Sequence, residues 1–268
     1  MIAVCTNPYR DKDLATTEQA VEILNRAGFE TRLCPIFTDQ DCTSVIRAAD
    51  GILVLGGDGT ILAAVRALGG KQTPILGVNL GTKGFMTALE PEELNRLPEA
   101  FAADAPISKR MMLDVALLRD GECMLNDSAL NDVVLHGYGE CIQPTAWADG
   151  RKMFAFSGDG LIISTPTGST GYSMSAGGPI VEPDARAILL TPICAHTLSA
   201  KPFVLSTERK VRVLAEKLTG RRAYLAVDGY PVADLESGDV LELQCSEKQV
   251  RMVNLSHRSF FEQLEKLV

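Results

Sequence analysis

Very little in this sequence points to a membrane, a metal or a nucleic acid. No apolar run reaches the length of a bilayer span, and no basic start leads into an apolar leader. The reading is a cytoplasmic protein with no membrane partner. The seven cysteines (5, 34, 42, 123, 141, 194 and 245) include no Cys-x-x-Cys spacing. Such an odd, scattered set favours reduced thiols, several of them core residues. The three histidines, at 136, 196 and 257, form no ligand cluster, so no metal site is expected. Basic charge is scarce. A net charge of −8 argues against nonspecific nucleic-acid binding, although backbone amides can still hold a small anion such as phosphate. There is no internal repeat and no low-complexity segment. No Gly-x-Gly-x-x-Gly follows the first apolar run, which argues against a Rossmann dehydrogenase. What remains is an ordinary globular composition, 46% apolar and 22% charged over 268 residues, enough for two domains with their own cores.

The two halves have different periods. In residues 1–105, apolar runs at 2–4, 29–34, 52–55 and 75–78 alternate with helical spacing at 17–27, 44–49 and 61–68 and a helix start at Pro91. Repeated β-α units of this size predict an α/β domain with a parallel, Rossmann-like sheet covered by helices. In residues 106–255, runs at 112–118, 129–135, 153–156, 161–164, 210–214, 223–227, 240–243 and 250–255 are separated by turn dipeptides such as Asp120-Gly121, Asp149-Gly150, Asp228-Gly229 and Gly238-Asp239. This predicts an antiparallel, β-sandwich-like domain. Ser259 caps a last helix whose apolar stripe, Phe260, Phe261, Leu264 and Leu267, predicts that 256–268 returns to pack on the first domain.

Three segments carry chemistry. The first is Leu53-Val-Leu-Gly-Gly-Asp-Gly-Thr60, an apolar run ending in glycines where a helix begins. Gly57 and Gly59 let backbone N–H groups approach an anion, and Asp58 between them is a carboxylate able to take a proton; together they suit phosphoryl transfer to a hydroxyl. The plain alternative makes Asp58 a helix N-cap. The second is Asn131-Asp132, two polar neighbours inside the apolar run 129–135. On opposite faces of a strand, they cannot both face a core; the alternative is an edge strand with Asn131 in water. The third runs from Gly158 to Gly178 and is rich in glycine and hydroxyls, with Tyr172 able to stack on a base. Its alternative is a plain Ser/Gly loop, which the Pro166 break after run 161–164 disfavours.

In this order, the three segments resemble the NAD kinase family. Asn79-Leu-Gly-Thr-Lys-Gly-Phe85, Lys109-Arg-Met-Met-Leu113, Leu190-Thr-Pro-Ile-Cys194 and Val227-Asp-Gly229 fit the same family, so the likeness spans nearly the whole chain. Gly-Gly-Asp-Gly-Thr alone is shared with lipid kinases and phosphofructokinases; the long third segment is far more specific. The resemblance implies transfer of the γ-phosphoryl group of ATP, or of polyphosphate, to the 2′-hydroxyl of the adenosine ribose of NAD. It also implies Mg²⁺ or another divalent cation carried with ATP, and a homodimer or homotetramer. By position it makes Asp58 the general base, with Gly57, Gly59 and Thr60 in the nucleotide site. Asn131 and Asp132 then bind the NAD adenosine and ribose. Asp159, with Thr170, Gly171, Tyr172, Ser173, Met174 and Ser175, shapes the rest of the pocket, and Thr167 lies close to it.

The chain departs from the family's commoner pattern at Lys83, Ser157, Gly171 and Tyr230, which touches the details of ribose and phosphate contacts. Lys83, following Gly81, is a candidate nucleotide contact, with a solvated loop lysine as the alternative. Two rival functions remain. A diacylglycerol- or sphingosine-type lipid kinase would call for an acyl pocket or a basic membrane face. A noncatalytic NAD(P)-binding sensor would have no need of Asp58, Asn131 and Asp132 together.

Overall fold

The computed structural model describes every residue except 39, 82, 83, 198, 217, 219, 257, 258 and 266–268. Its strands are β1 (Ile2–Thr6), β2 (Thr31–Pro35), β3 (Gly51–Gly56), β4 (Ile75–Asn79), β5 (Ile107–Arg119), β6 (Glu122–Ala129), β7 (Asp132–Gly137), β8 (Gln143–Ala148), β9 (Arg151–Ala155), β10 (Gly160–Ser164), β11 (Ala187–Ile193), β12 (Phe203–Ser206), β13 (Val211–Glu216), β14 (Ala223–Val227), β15 (Tyr230–Leu235) and β16 (Val240–Val253). The α-helices are α1 (Ala15–Arg26), α2 (Thr43–Ala48), α3 (Asp58–Leu68), α4 (Leu97–Ala100), α5 (Tyr172–Ser175) and α6 (Phe260–Glu265). The chain divides into two compact units, residues 1–110 with 248–268, and residues 111–247.

In the first unit the parallel order is β2-β1-β3-β4, and Met252 of β16 pairs in parallel with Ile75. Strands β1, β3 and β4 are buried along their whole length, as strands covered on both faces must be. That is why their sequences read as unbroken apolar runs. Helix α3 buries Thr60, Ile61, Ala64, Val65 and Leu68, one face at helical spacing, and ends at Gly69 with φ +61°. The strand order reverses between β1 and β3. In an open parallel sheet, ligands bind beyond the carboxyl ends of the strands at such a point. Those ends here are Thr6-Asn7 and Gly56-Gly57. Helix α6 groups with this unit, and Ser259 and Glu262 cap its start reciprocally (Ser259 N–H to Glu262 Oε2 2.6 Å, Glu262 N–H to Ser259 Oγ 3.3 Å). None of its described residues is buried, and Phe261 is exposed; Leu267 lies outside the described residues.

The second unit is a sandwich. One sheet has the antiparallel order β12-β11-β10-β7-β14-β15, and β16, β13, β8 and β9 form the other with the β5–β6 pair. Leu113, Val115, Val133, Leu135, Leu161, Ile163, Leu190, Val213 and Leu225 share one core between the two sheets. The hairpin turns at Asp120-Gly121, Asp149-Gly150 and Asp228-Gly229 all hold both residues at positive φ, the twist that joins antiparallel strands through a two-residue turn.

The run 129–135 is not one strand. Strand β6 ends at Ala129 and β7 begins at Asp132, so Asn131 stands in the break and Asp132 opens the next strand. Conversely, the run 240–243 and residues 250–253 of the run 250–255 belong to the single strand β16.

Candidate active site

In the first unit, Gly57 is the N-cap of α3 and Asp58 its first helical residue. The Asp58 carboxylate makes no capping bond within its own helix. Instead it reaches the loop after β4, where Oδ2 accepts the Phe85 N–H and Oδ1 the Met86 N–H, both at 3.1 Å. Burial raises its pKa above the usual carboxylate value, and the two amides oppose that shift without cancelling it. The loop that supplies them is itself held in place. Leu80 N–H donates to the Gly56 carbonyl at 2.8 Å. Asn79 accepts the Gly81 N–H at 3.0 Å and donates to Glu90 at 3.1 Å. At the neighbouring strand end, Asn7 Nδ2 reaches Thr60 Oγ1 at 3.4 Å.

The glycines of this bend do different work. A Cβ on Gly56 would lie 2.4 Å from Thr60 Oγ1, so Gly56 is needed for packing. Gly57 and Gly59 have nothing within 4 Å of a Cβ position. Packing does not require them, and their backbone is open to a ligand. Lys83 lies outside the described residues.

The second unit has a bend of comparable density. The Asp228 carboxylate accepts three backbone N–H groups, from Leu130 (2.8 Å), Asn131 (2.7 Å) and Asp132 (3.1 Å), and the Asp228 N–H donates back to the Asp132 carbonyl at 2.9 Å. Thr165 claims the remaining carbonyls. Its hydroxyl donates to Leu130 O at 2.6 Å and its N–H to Asn131 O at 2.9 Å. Gly168 packs so closely that a Cβ there would lie 2.1 Å from Asn131 O. With the backbone of 130–132 fully used, only its side chains are free to act.

Those side chains are what the protein leaves unpartnered. Asn131 Oδ1, Ser164 Oγ and Thr167 Oγ1 are buried without a hydrogen bond, which in a native structure calls for a water, ion or ligand. Asp132, 6% exposed, has no hydrogen bond to its carboxylate among the described residues. Burial, and then the neighbouring Asp228 charge, push its pKa up to about 7. Asp228 is also raised by burial, yet three N–H groups favour its anion, so the pair keeps its proton on Asp132.

The other hydroxyls of this segment are spent on structure. Ser169 Oγ exchanges bonds with both the N–H and the carbonyl of Val181 at 3.1 Å. Ser173 Oγ meets Thr191 Oγ1 at 2.9 Å, and Thr170 Oγ1 donates to Thr167 O at 3.3 Å. Gly171 lies 3.7 Å, at its Cβ position, from Asn131 Nδ2. Met174 is half-buried, and Ser175 and Tyr172 are exposed. Asp159 is half-buried, with its backbone bonded to Ile193 and Gly137. Its carboxylate raises the Cys194 thiol and, with Asp132, contributes to raising Tyr172, which brings these groups into one neighbourhood. Sequence reasoning gave no role to the supporting parts: the Phe85 and Met86 amides, Thr165, and the Asp228 carboxylate as a clamp on three N–H groups, although Val227-Asp-Gly229 was among the segments that fit the family.

The Asp132 proton has a measurable consequence. The folded value of about 7 lies above the ordinary 3.8, so the stability it contributes is complete below about pH 3.8 and is lost as pH climbs to about 7. Asp132→Asn stays neutral throughout. Its Tm is expected to gain on the wild type between about pH 4 and pH 7, then keep a constant difference. A difference already flat from pH 4 would mean that folded Asp132 ionises like an exposed carboxylate.

A parallel sheet with an open glycine bend and a half-buried, amide-held carboxylate, in one chain with an antiparallel sandwich presenting unpartnered polar groups, defines a phosphotransferase that acts on a nucleotide. Residues 16–105 match the ATP-NAD kinase N-terminal domain, and residues 130–255 match the ATP-NAD kinase C-terminal domain. The NAD kinase of Geotalea daltonii is 41% identical over 273 residues, 98% of this chain and 96% of that relative. The NAD kinase of Ruminiclostridium cellulolyticum is 34% identical over 271 residues, 97% and 94% of the two chains. Among solved structures, yeast NADH kinase complexed with NADH has a TM-score of 0.88 at 25% identity, covering 99% of this chain and 86% of that one. An NAD kinase from Archaeoglobus fulgidus in complex with ATP has a TM-score of 0.80 at 28% identity, covering 100% and 98%. The chain belongs to the ATP-NAD kinase family.

Proposed function

We propose that this protein phosphorylates NAD on the 2′-hydroxyl of its adenosine ribose, with ATP as donor and Asp58 as general base. The observation that carries the role of Asp58 is its setting: a half-buried carboxylate with a raised pKa, held by two backbone amides, between two glycines that packing does not require. A ribose hydroxyl is a weak nucleophile, so a base within about 3 Å must take its proton as it attacks. The oxygen then bonds to the γ-phosphorus, the bond to the β-γ bridging oxygen breaks, and ADP leaves. The open amides of the Gly57–Gly59 bend offset charge on the triphosphate. Magnesium enters as part of the MgATP substrate. The family relationship to kinases named for NAD supports the acceptor. Asn131, Asp132 and Thr167, whose polar groups lack protein partners, are proposed to bind adenosine and ribose, with Asp159, Thr170, Gly171, Tyr172, Ser173, Met174 and Ser175 shaping the pocket.

The reading extends to a homo-oligomer in the cytoplasm. The apolar residues Phe203 and Val204 on the edge strand β12 are exposed, a surface that a second copy would cover. All seven cysteines are free thiols, in keeping with a reducing compartment. Light scattering giving a monomer at micromolar concentration would remove the oligomer from the proposal.

The direct test is NADP formation from NAD, ATP and Mg²⁺ by the purified protein; NAD binding without turnover would favour the sensor. A second test separates function from folding. Gly59→Ala is expected to leave Tm unchanged or slightly higher, since alanine favours a helix over glycine by roughly 0.5–1 kcal/mol, while kcat/KM for ATP falls by roughly 100-fold, as when one electrostatic contact to the reacting group is lost. Gly168→Ala should instead fail to fold stably, because its Cβ meets Asn131 O at 2.1 Å. Full activity in Gly59→Ala would show that phosphate does not approach that backbone.

A further inference from the structure

The loop that holds Asp58 runs from Asn79, the last residue of β4, to Glu90, just before the helical turn Pro91–Arg96. Main-chain bonds close its two ends. The Asn79 N–H donates to the Leu89 carbonyl at 2.9 Å, and the Ala88 and Leu89 N–H groups both reach the Gly77 carbonyl, at 2.9 and 3.2 Å. The Leu80 N–H, bonded to Gly56 O, ties the departing arm to the end of β3. These bonds set where the loop starts and ends. They lie outside its inner part, where Phe85 and Met86 offer their amides to Asp58.

The Asn79 side chain reaches that inner part. Its Oδ1 accepts the Gly81 N–H at 3.0 Å on the departing arm, and its Nδ2 donates to Glu90 Oε2 at 3.1 Å on the returning arm. The loop also folds onto it. A Cβ on Gly84 would lie 3.4 Å from Asn79 Oδ1 and 2.5 Å from Thr87 Oγ1, so the backbone just before Phe85 rests close to the amide. Glu90 is steadied in turn: its N–H donates to Glu93 Oε2 at 3.0 Å, and Arg96 Nη1 holds Glu93 Oε1 at 3.1 Å. A primary amide suits the position because one arm supplies a donor and the other an acceptor. Asn79 is 8% exposed, with both ends of its amide engaged within the protein.

We propose that Asn79, braced by Glu90, is a positioning residue for the proton transfer: it sets the inner part of the loop, whose Phe85 and Met86 amides aim the Asp58 carboxylate. This role rests on Asp58 being the base. A base must lie within about 3 Å of the hydroxyl that it deprotonates, and a misplacement of about 1 Å can cost roughly 100-fold in rate. Asn79 acts two bonds away, through Gly81 and the loop, and touches neither Asp58 nor the reacting atoms.

The test compares kcat for NADP formation in Asn79→Ala, alone and in the Asp58→Asn background, with a thermal melt of each full-length variant. The main-chain bonds that close the loop remain, and water can reach the half-buried Gly81 and Glu90, so Asn79→Ala is expected to fold. Its kcat should fall by roughly 30-fold, short of the full cost of a 1 Å misplacement, while KM for NAD and for ATP changes by less than about threefold. In Asp58→Asn, where the base is already gone, adding Asn79→Ala should lower kcat by less than about threefold, since residues that act as a unit are not additive. Glu90→Ala should lower kcat in the same way but by less, and Glu90→Gln, which keeps an acceptor oxygen, should recover most of that loss. A kcat for Asn79→Ala equal to the wild type, or the same fractional loss in both backgrounds, would overturn the proposal. If Asn79→Ala does not melt as a folded protein, Glu90→Ala decides alone, and a wild-type kcat there overturns it. Retained activity in Asp58→Asn would remove the base and the role of Asn79 together; an inactive Asp58→Asn beside a fully active Asn79→Ala would remove only the role of Asn79.

Discussion

Asp58→Asn is expected to lower kcat for NADP formation by roughly 1,000-fold, within the range measured for losing a general base, while the dissociation constant for NAD changes by less than about threefold, since no ground-state contact is removed. The substitution is nearly isosteric, but it is not silent in the fold. Each Asp58 oxygen accepts one amide, from Phe85 and from Met86. Asparagine offers one acceptor and one donor, so one of those N–H groups would face Nδ2, at a cost of about 1–3 kcal/mol for the group left unsatisfied. Thermal melting under the assay conditions therefore has to accompany the kinetics. A variant that is folded, binds NAD and does not turn over isolates the proton-transfer role. Turnover within tenfold of the wild type would assign the base elsewhere.

The same carboxylate sets the acid limb of the rate profile. Burial raises its pKa above the usual carboxylate value, and only the ionised form can accept the hydroxyl proton. The wild-type kcat/KM should therefore rise with pH through a value above that of an exposed aspartate, and Asp58→Asn should lack this limb. The linked stability has the opposite sign. A raised folded pKa contributes stability below the unfolded value of about 3.8 that is lost as pH climbs through the folded value. Asp58 thus costs the fold something in the ionisation state in which it is useful, as is common for catalytic groups.

What could be read from the sequence follows the range of the interactions involved. The first glycine bend was legible because its signals are local: a buried strand, glycines and a helical face lie side by side from Gly51 to Leu68. The turns at Asp120-Gly121, Asp149-Gly150 and Asp228-Gly229 were legible for the same reason. Run 129–135 was misread as one strand because the agents that break it are distant, Thr165 taking the carbonyls and Asp228 the N–H groups. Strand β11 is not among the expected runs, and it holds Pro192, a residue that disfavours a strand inside a sheet. It is accommodated because pairing with β12 stops at Leu190, leaving that side of β11 open at Pro192. The runs 240–243 and 250–255 read as separate strands, yet β16 continues through the polar residues between them because its pairing, not its composition, sets its length. Candidate residues could be named only at the level of segments. Within the third segment, sequence could not tell hydroxyls spent on structure, such as Ser173, from those left free, such as Thr167.

Asp228→Ala should then damage both the fold and the site of the second unit, although Asp228 reads in local sequence as half of a turn. It removes the acceptor for three backbone N–H groups at once, at 2.7, 2.8 and 3.1 Å, in a buried position. Water entering the gap would recover part of the loss. An overall cost of about 4 kcal/mol is expected, in line with a few buried groups at 1–3 kcal/mol each, and for a chain of this size that is about 10 °C in Tm. Binding should suffer more than stability, because those N–H groups aim Asn131 and Asp132. NAD affinity is expected to fall by at least roughly 100-fold, the equivalent of about 2.7 kcal/mol, even at a temperature where the variant is fully folded. Asp228→Asn sharpens the case. It keeps one acceptor oxygen, removes the charge that helps raise Asp132, and should let Asp132 ionise at lower pH. A titration of Asp132 by NMR in Asp228→Asn is the deciding observation. A value unmoved from about 7 would mean that burial alone keeps the proton on Asp132, and that Asp228 serves the site only as the clamp on its backbone.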